Sequence, residues 1–431
     1  MYFTESRALQ GRISSEVRIA AQVNATICKR KLWVEKDMEI TGFLFAAAEA
    51  GIRYAGRLDL GLMYSYTPCV TAGVFTTSLV KAAPVVIDQQ RLQDGRAQAI
   101  LVNSGCANAC TGDEGDDAAL QTSKMVSAAL DIDDDLVLLA STGVIGEQLP
   151  LEPFQRAIPE LANRLSPSGF DQVARAIMTT DTVEKTAETT VVIGGKTVSI
   201  MGMAKGAGMI MPNMATMLAF VFTDAHITFS ALQKTLQLAS EKTFNRITID
   251  GDTSTNDMVL VMANGKADNP QIDEKASGDL QLFHQALELV MKDLALQIVS
   301  DGEGATKTII IRVIGARSDA DAEKIARTIA TSCLVKTAFF GEDANWGRIL
   351  AAMGRSGVMF SPEKVGLSFG EVIMVENGRG LGPECEEAAT LELRKKNITV
   401  TIDLHEGHGA DEVYTCDFSI DYVKINADYR S

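Results

Sequence analysis

Apolar positions along the chain fall into two periods. Residues 97–102 and 136–140 are short, nearly continuous apolar runs that end in glycine-containing loops, the pattern of buried strands. Residues 189–193 and 197–201, joined around Gly194-Gly195, predict a hairpin. Further strands are predicted over 217–222, 308–313 and 398–404. Helical apolar spacing covers 229–243, 280–298, 320–333 and 386–395. Strands interleaved with helices that carry one apolar face predict an α/β layered protein. No repeat of fixed period and no low-complexity tract interrupts this pattern.

Composition narrows the picture. A chain of 431 residues, 46% of them hydrophobic, suits one large or two moderate domains with substantial cores. The net charge of −16 argues against nucleic acid and anionic membranes as partners, since both attract basic patches. No apolar run reaches the length of a transmembrane helix. The seven cysteines show no dense spacing. Cys106 and Cys110 lack a second pair or a nearby histidine to complete a zinc set, so free thiols in a reducing cytoplasm and no metal are expected. The first 37 residues stand apart, with seven Lys/Arg against four acids and no signal-peptide core. They read as an extension ahead of a start at Met38, with a disordered leader and an organellar transit peptide as alternatives.

The densest chemistry lies in the glycine-rich approach from Met203 through Lys205-Gly206-Ala207-Gly208 to Pro212-Asn213-Met214-Ala215-Thr216-Met217. A small residue followed by Thr, just before a buried strand, is what self-cleavage at Ala215–Thr216 needs. The Thr216 hydroxyl attacks the Ala215 carbonyl, the acyl group shifts from nitrogen to oxygen, and water completes the cut. Thr216 then becomes an N-terminus carrying nucleophile and base together. Its α-amino group, with a pKa of roughly 8, is neutral often enough to take the hydroxyl proton. On the dipeptide alone, a Thr opening a strand is ordinarily just a strand residue. Ser141-Thr142-Gly143 directly follows an apolar strand and can aim a hydroxyl and a backbone N–H at one point, though by spacing alone it is an ordinary turn. Lys205 reads first as a solvated lysine. Asp250-Gly251-Asp252 departs from a calcium loop at its sixth and twelfth positions. His405 and His408 lack the spacing of a zinc helix, and the acids from Asp113 to Asp117 suit a solvated helix start.

The approach to Thr216 resembles the processing site of the glutamate N-acetyltransferase family, also called ornithine acetyltransferase, of arginine biosynthesis. Met211 departs from the His expected in many relatives, away from the scissile pair. Matching segments run in family order from about residue 40 to the end. They include Asn103-Ser104-Gly105-Cys106, Ser141-Thr142-Gly143, Met178-Thr179-Thr180-Asp181-Thr182, Asn256-Asp257, Asp301-Gly302-Glu303-Gly304 and Asp428-Tyr429-Arg430-Ser431. The resemblance implies an αββα sandwich cut into an alpha chain, 38–215, and a beta chain, 216–431, after the 1–37 extension. It implies Thr216 as nucleophile, Thr142 and Gly143 as the oxyanion hole, and Thr179, Lys205, Thr216, Glu303, Asn426 and Ser431 as substrate contacts. Thr180, adjacent to Thr179, is an alternative to it. The implied reaction moves acetyl from N-acetylornithine to glutamate through an acetyl-threonine, with no metal or organic cofactor. Some relatives also take acetyl-CoA, a donor the sequence leaves open. A cytoplasmic heterotetramer of two alpha and two beta chains is the implied assembly. The closest rival is an autoprocessed aminopeptidase or amidase with water as acceptor; a metabolite-binding protein that never cuts itself is a different class.

Overall fold

A computed structural model describes residues 39–211 and 217–428. Strands β1 (Phe43–Ala48), β2 (Leu60–Phe75), β3 (Arg96–Cys106), β4 (Val137–Val144), β5 (Lys185–Ile193), β6 (Lys196–Lys205), β7 (Leu218–Thr223) and β8 (Met258–Ala263) share one sheet. Its order is β4-β3-β2-β8-β7-β6-β5, with β1 also paired to β2. The helices interspersed with these strands are α1 (Ala83–Arg91), α2 (Gly112–Leu130), α3 (Leu151–Asn163), α4 (Phe170–Ala176), α5 (Phe229–Lys242) and α6 (Ser277–Ser300).

The long strand β2 lets this sheet fold back on itself. Its first residues, Leu60 to Tyr64, pair with β1 and β3, whereas Val70 to Phe75 pair with β8. The register with β3 slips between Tyr64 and Cys69. Phe43, Phe45, Ile100, Val102 and Leu138 from one half therefore share an apolar interior with Met203, Phe220, Phe222 and Leu260 from the other. Phe222 meets Phe43 and Phe45 edge-on, at centroid distances of 5.2 and 5.1 Å. Burying one such ring contributes about 1.5–3 kcal/mol. On one outer face, Phe154, Ile158 and Leu161 of α3 and Ala118 and Val126 of α2 cover Leu62, Leu101 and Leu139. On the other, Leu232 and Leu236 of α5 and Leu287, Val290 and Leu294 of α6 cover Ile200, Val221 and Val261. The layers run helix, strand, strand, helix, as the expected αββα sandwich requires.

A second sheet extends that expectation. Strands β9 (Thr308–Ala316), β10 (Gly366–Phe369), β11 (Val372–Glu376), β12 (Arg379–Gly380), β13 (Asn397–Asp403) and β14 (Gly409–Cys416) line up in the order β12-β11-β10-β13-β9-β14. With them come α7 (Asp319–Ala330), α8 (Cys333–Phe340), α9 (Trp346–Gly354), α10 (Pro383–Leu393) and α11 (Ile420–Ala427). Ile309, Ile311 and Val313 of β9 pack on Ile325 and Ile329 of α7, a separate core. Tyr414 and Cys416 of β14 join the cluster built on α6, tying the two sheets together.

The hairpin is where it was predicted: Ile193 pairs with Lys196 across Gly194-Gly195. The helix expected over 320–333 is α7, Asp319–Ala330, which ends three residues early. Thr331 caps α7, with its N–H still on the Arg327 carbonyl, and Ser332 turns extended before a separate helix, α8, begins at Cys333. Among the described residues, no helix is long and apolar enough to cross a membrane. The extension 1–37 lies outside the described residues.

Candidate active site

Strands β6 and β7 lie side by side, Lys205 opposite Leu218, on the two sides of residues 212–216. Beside that edge is a cavity of about 250 Å³, whose walls include Thr142, Gly143, Lys205, Leu218, Glu303 and Asn426. Thr179 and Thr180 both reach it, so the structure does not separate the two.

Each wall follows from local geometry. Thr142 and Gly143 end β4, which runs parallel to β3 with Thr142 opposite Ser104. Gly143 has φ of 131°, and a Cβ there would stand 2.3 Å from the Gly105 carbonyl carbon, so only glycine fits. Lys205 ends β6, buried, and its Nζ donates to Thr142 Oγ1 at 3.1 Å. A hydroxyl that accepts from an ammonium keeps its own proton to donate, which suits Thr142 to an oxyanion. Burial pushes the Lys205 ammonium below the usual lysine range, and the Asp181 carboxylate pulls partly the other way.

Glu303 follows α6. Its N–H donates to the Ala207 carbonyl at 2.8 Å, and its carboxylate accepts from Asn426 Nδ2 of α11 at 2.7 Å. A Cβ on Gly208 would fall 2.4 Å from that carboxyl carbon. The Lys-Gly-Ala-Gly stretch is therefore a bed for a carboxylate, not a phosphate loop. The chain on both sides of residues 212–216 is pinned. The Asp250 carboxylate accepts the Met209 and Ile210 N–H groups, and the Ile210 carbonyl accepts from Thr248 Oγ1 at 3.0 Å. Thr253 Oγ1 donates to the Met211 carbonyl, and the Met258 N–H to the Met217 carbonyl, each at 3.0 Å.

Residues the sequence reading assigned no role hold these walls in register. Lys185 Nζ is wholly buried between Asp181, at 2.7 Å, and Asp301, at 2.6 Å. Asp181 also accepts the Thr179 N–H at 3.0 Å and the Gly206 N–H at 2.7 Å, joining two cavity walls. Asn256 Nδ2 donates to the Ala107 and Ser141 carbonyls at 2.6 and 2.7 Å, bracing β4 behind Thr142. Burial alone would raise the Asp181 carboxyl, but Lys205 and Lys185 outweigh it and hold it at about 2. That lies below the unfolded value of about 3.9. The stabilisation is thus complete above the unfolded value and is lost as pH falls through about 2. Asp181→Asn should cost about 3 kcal/mol at pH 7, because Lys185 loses one buried partner. In urea titrations, the gap from wild type should narrow as pH drops from 5 toward 2; a constant gap would mean the carboxylate charge is not the cause.

The structure thus brings together Thr142, Gly143, Thr179, Lys205, Glu303 and Asn426, drawn from both sides of the proposed cut. Ala215, Thr216 and Ser431 lie outside the described residues.

Comparison with known proteins gives concordant findings. The ArgJ family matches residues 44–431. The arginine biosynthesis bifunctional protein ArgJ of Desulfotalea psychrophila is 62% identical over 394 residues, covering 91% of this chain and 100% of that relative. Its counterpart in Geobacter sulfurreducens is 52% identical over 394 residues, with the same coverage of 91% and 100%. A crystal structure of the ArgJ protein of Bacillus halodurans shares 44% identity over 48% of this chain and 97% of that one, with a TM-score of 0.47.

Proposed function

The chain belongs to the ArgJ family, and from that premise we propose that it is a glutamate N-acetyltransferase acting through an acetyl-threonine on Thr216. One observation carries the reading at the level of residues: a single cavity, bordered by the strands flanking 212–216, gathers a hydroxyl for an oxyanion, a buried cation and a carboxylate. The rival amidase reading is not favoured, because relatives 62% and 52% identical over their full length are bifunctional arginine-biosynthesis proteins.

In the proposed cycle the Thr216 hydroxyl gives its proton to the α-amine of the same residue and attacks the acetyl carbonyl of N-acetylornithine. The tetrahedral oxyanion is stabilised by the Thr142 hydroxyl and the Gly143 N–H. Collapse breaks the C–N bond, and the departing ornithine amine takes the proton. Glu303, steadied by Asn426, faces the cationic end of ornithine, while Lys205 holds the α-carboxylate and polarises Thr142. The α-amine of glutamate then attacks the ester, releasing N-acetylglutamate and restoring Thr216. Thr179 and Ser431 complete the substrate contacts of the proposal, and acetyl-CoA is a second candidate donor.

Self-cleavage between Ala215 and Thr216 divides the chain into 38–215 and 216–431. The two parts stay together because β7 pairs with β6, and β8 with β2, across the cut. A cytoplasmic assembly of two copies of each half belongs to the same proposal. The test is initial-rate kinetics with N-acetylornithine and glutamate. Parallel double-reciprocal lines, with N-acetylglutamate formed one for one with ornithine, are expected; intersecting lines would indicate direct transfer without an acyl-enzyme.

A further inference from the structure

Resting on the transferase reading, the double displacement poses a charge problem at its second substrate. Ornithine and glutamate must both bring their α-amine to one ester, yet their side chains end in opposite charges. The catalytic cavity is lined by the carboxylates of Asp257 and Glu303 with Lys205 as its cation. That lining suits the ammonium of ornithine. The γ-carboxylate of glutamate, placed in the same position, would meet Glu303 in a buried setting where like charges repel strongly.

A second cavity, of about 220 Å³, opens on the other side of the same wall. It shares Gly143, Val144, Thr179 and Thr180 with the first, and adds Arg53 and Arg57. The two arginines differ. Arg53 is already paired with Glu147 and hydrogen-bonds to the Tyr54 hydroxyl. Arg57, half-buried, donates through Nη2 to the Met178 carbonyl and makes no ion pair among the described residues. Asp59 lines this cavity too; its carboxylate accepts the Ala50 and Ile52 N–H groups at 2.6 and 2.7 Å and lies in the field of Arg57. The cavity therefore sets two guanidinium groups against one lining carboxylate. Arg57 is thus a guanidinium at a cavity wall, with donors to spare and anchored to the residue just before Thr179.

We propose that this second cavity is the subsite for an anionic acceptor side chain, with Arg57 receiving the γ-carboxylate of glutamate while ornithine directs its ammonium to Glu303. One α-amine position then serves two side-chain directions, divided by Thr179 and Thr180. A guanidinium presents a planar pair of donors that matches a carboxylate, which an ammonium cannot reproduce in full.

The experiment separates the two half-reactions. Formation of N-acetylglutamate from N-acetylornithine is followed against glutamate concentration. In a second assay without glutamate, labelled ornithine is exchanged into N-acetylornithine. Arg57→Gln should raise the KM for glutamate by roughly 10- to 100-fold, the usual scale for losing a charge-assisted pair, and leave ornithine exchange within about two-fold. Arg57→Lys should recover part of the loss. An unchanged KM for glutamate, or an equal loss in both assays, overturns the assignment; the equal loss would mean that Arg57 only supports the Met178 carbonyl. Wild-type protein that exchanges ornithine but makes no N-acetylglutamate would overturn the transferase reading itself.

Discussion

Thr216→Ala should leave the chain whole and abolish acetyl transfer. On a denaturing gel the full 431-residue wild type is expected as fragments 1–215 and 216–431, of nearly equal length, and the variant as one band at 46.3 kDa. Transfer should fall by roughly 10^4-fold or more, the scale seen when a nucleophile is removed from an acyl-transfer enzyme. The size of the effect follows from one residue doing three jobs. In the proposed mechanism its hydroxyl cuts the chain, the cut liberates its amine, and the amine then activates the same hydroxyl. Failure to fold is not a competing explanation, because the flanks are held independently of residue 216. Asp250 grips Met209 and Ile210 on one side, and Met258 holds Met217 on the other. A melting temperature close to that of wild type should accompany the loss. Thr216→Ser, which keeps a hydroxyl, should restore cleavage. Fragments persisting in the alanine variant would place the nucleophile elsewhere.

Much of this was legible in the sequence where local chemistry and tertiary structure agree. Gly194-Gly195 between two β-rich runs is a turn in any context, and Ile193 does pair with Lys196 across it. Thr142, Gly143, Lys205, Glu303 and Asn426 were identified through family resemblance and lie on one cavity. Periodicity alone could not have joined them, since they come from β4, β6, the end of α6 and α11. The end of α7 left no mark because neither glycine nor proline makes it; the chain turns extended at Ser332 without a residue that demands it. The Asp181–Lys185–Asp301 cluster was invisible for a related reason. Charged residues read as solvated surface unless their burial is known, and only the fold places Asp301, from the end of α6, against the start of β5.

Thr142→Val should lower kcat by roughly 10²- to 10³-fold while leaving KM for N-acetylornithine within a few-fold. Valine keeps the branched shape in a strand that favours it, so packing against β3 persists and only the hydroxyl is lost. The hydroxyl matters chiefly when charge develops on the substrate oxygen. Before that point a neutral carbonyl gains little from it, which is why the loss falls on turnover rather than binding. Lys205 loses its 3.1 Å acceptor in this variant, yet it retains the electrostatic support of Asp181, Asp257 and Glu303. Its hold on the substrate α-carboxylate should therefore survive. Lys205→Met should give the complementary pattern, a rise in KM together with a fall in kcat, because in the proposed mechanism the cation serves both the substrate carboxylate and Thr142. Rates should be normalised to processed chain counted by mass spectrometry, since a slower cut would otherwise look like slower transfer. If Thr142→Val instead raised KM and spared kcat, the hydroxyl would be a substrate-binding group, and the oxyanion would have to rest on the Gly143 N–H and Lys205.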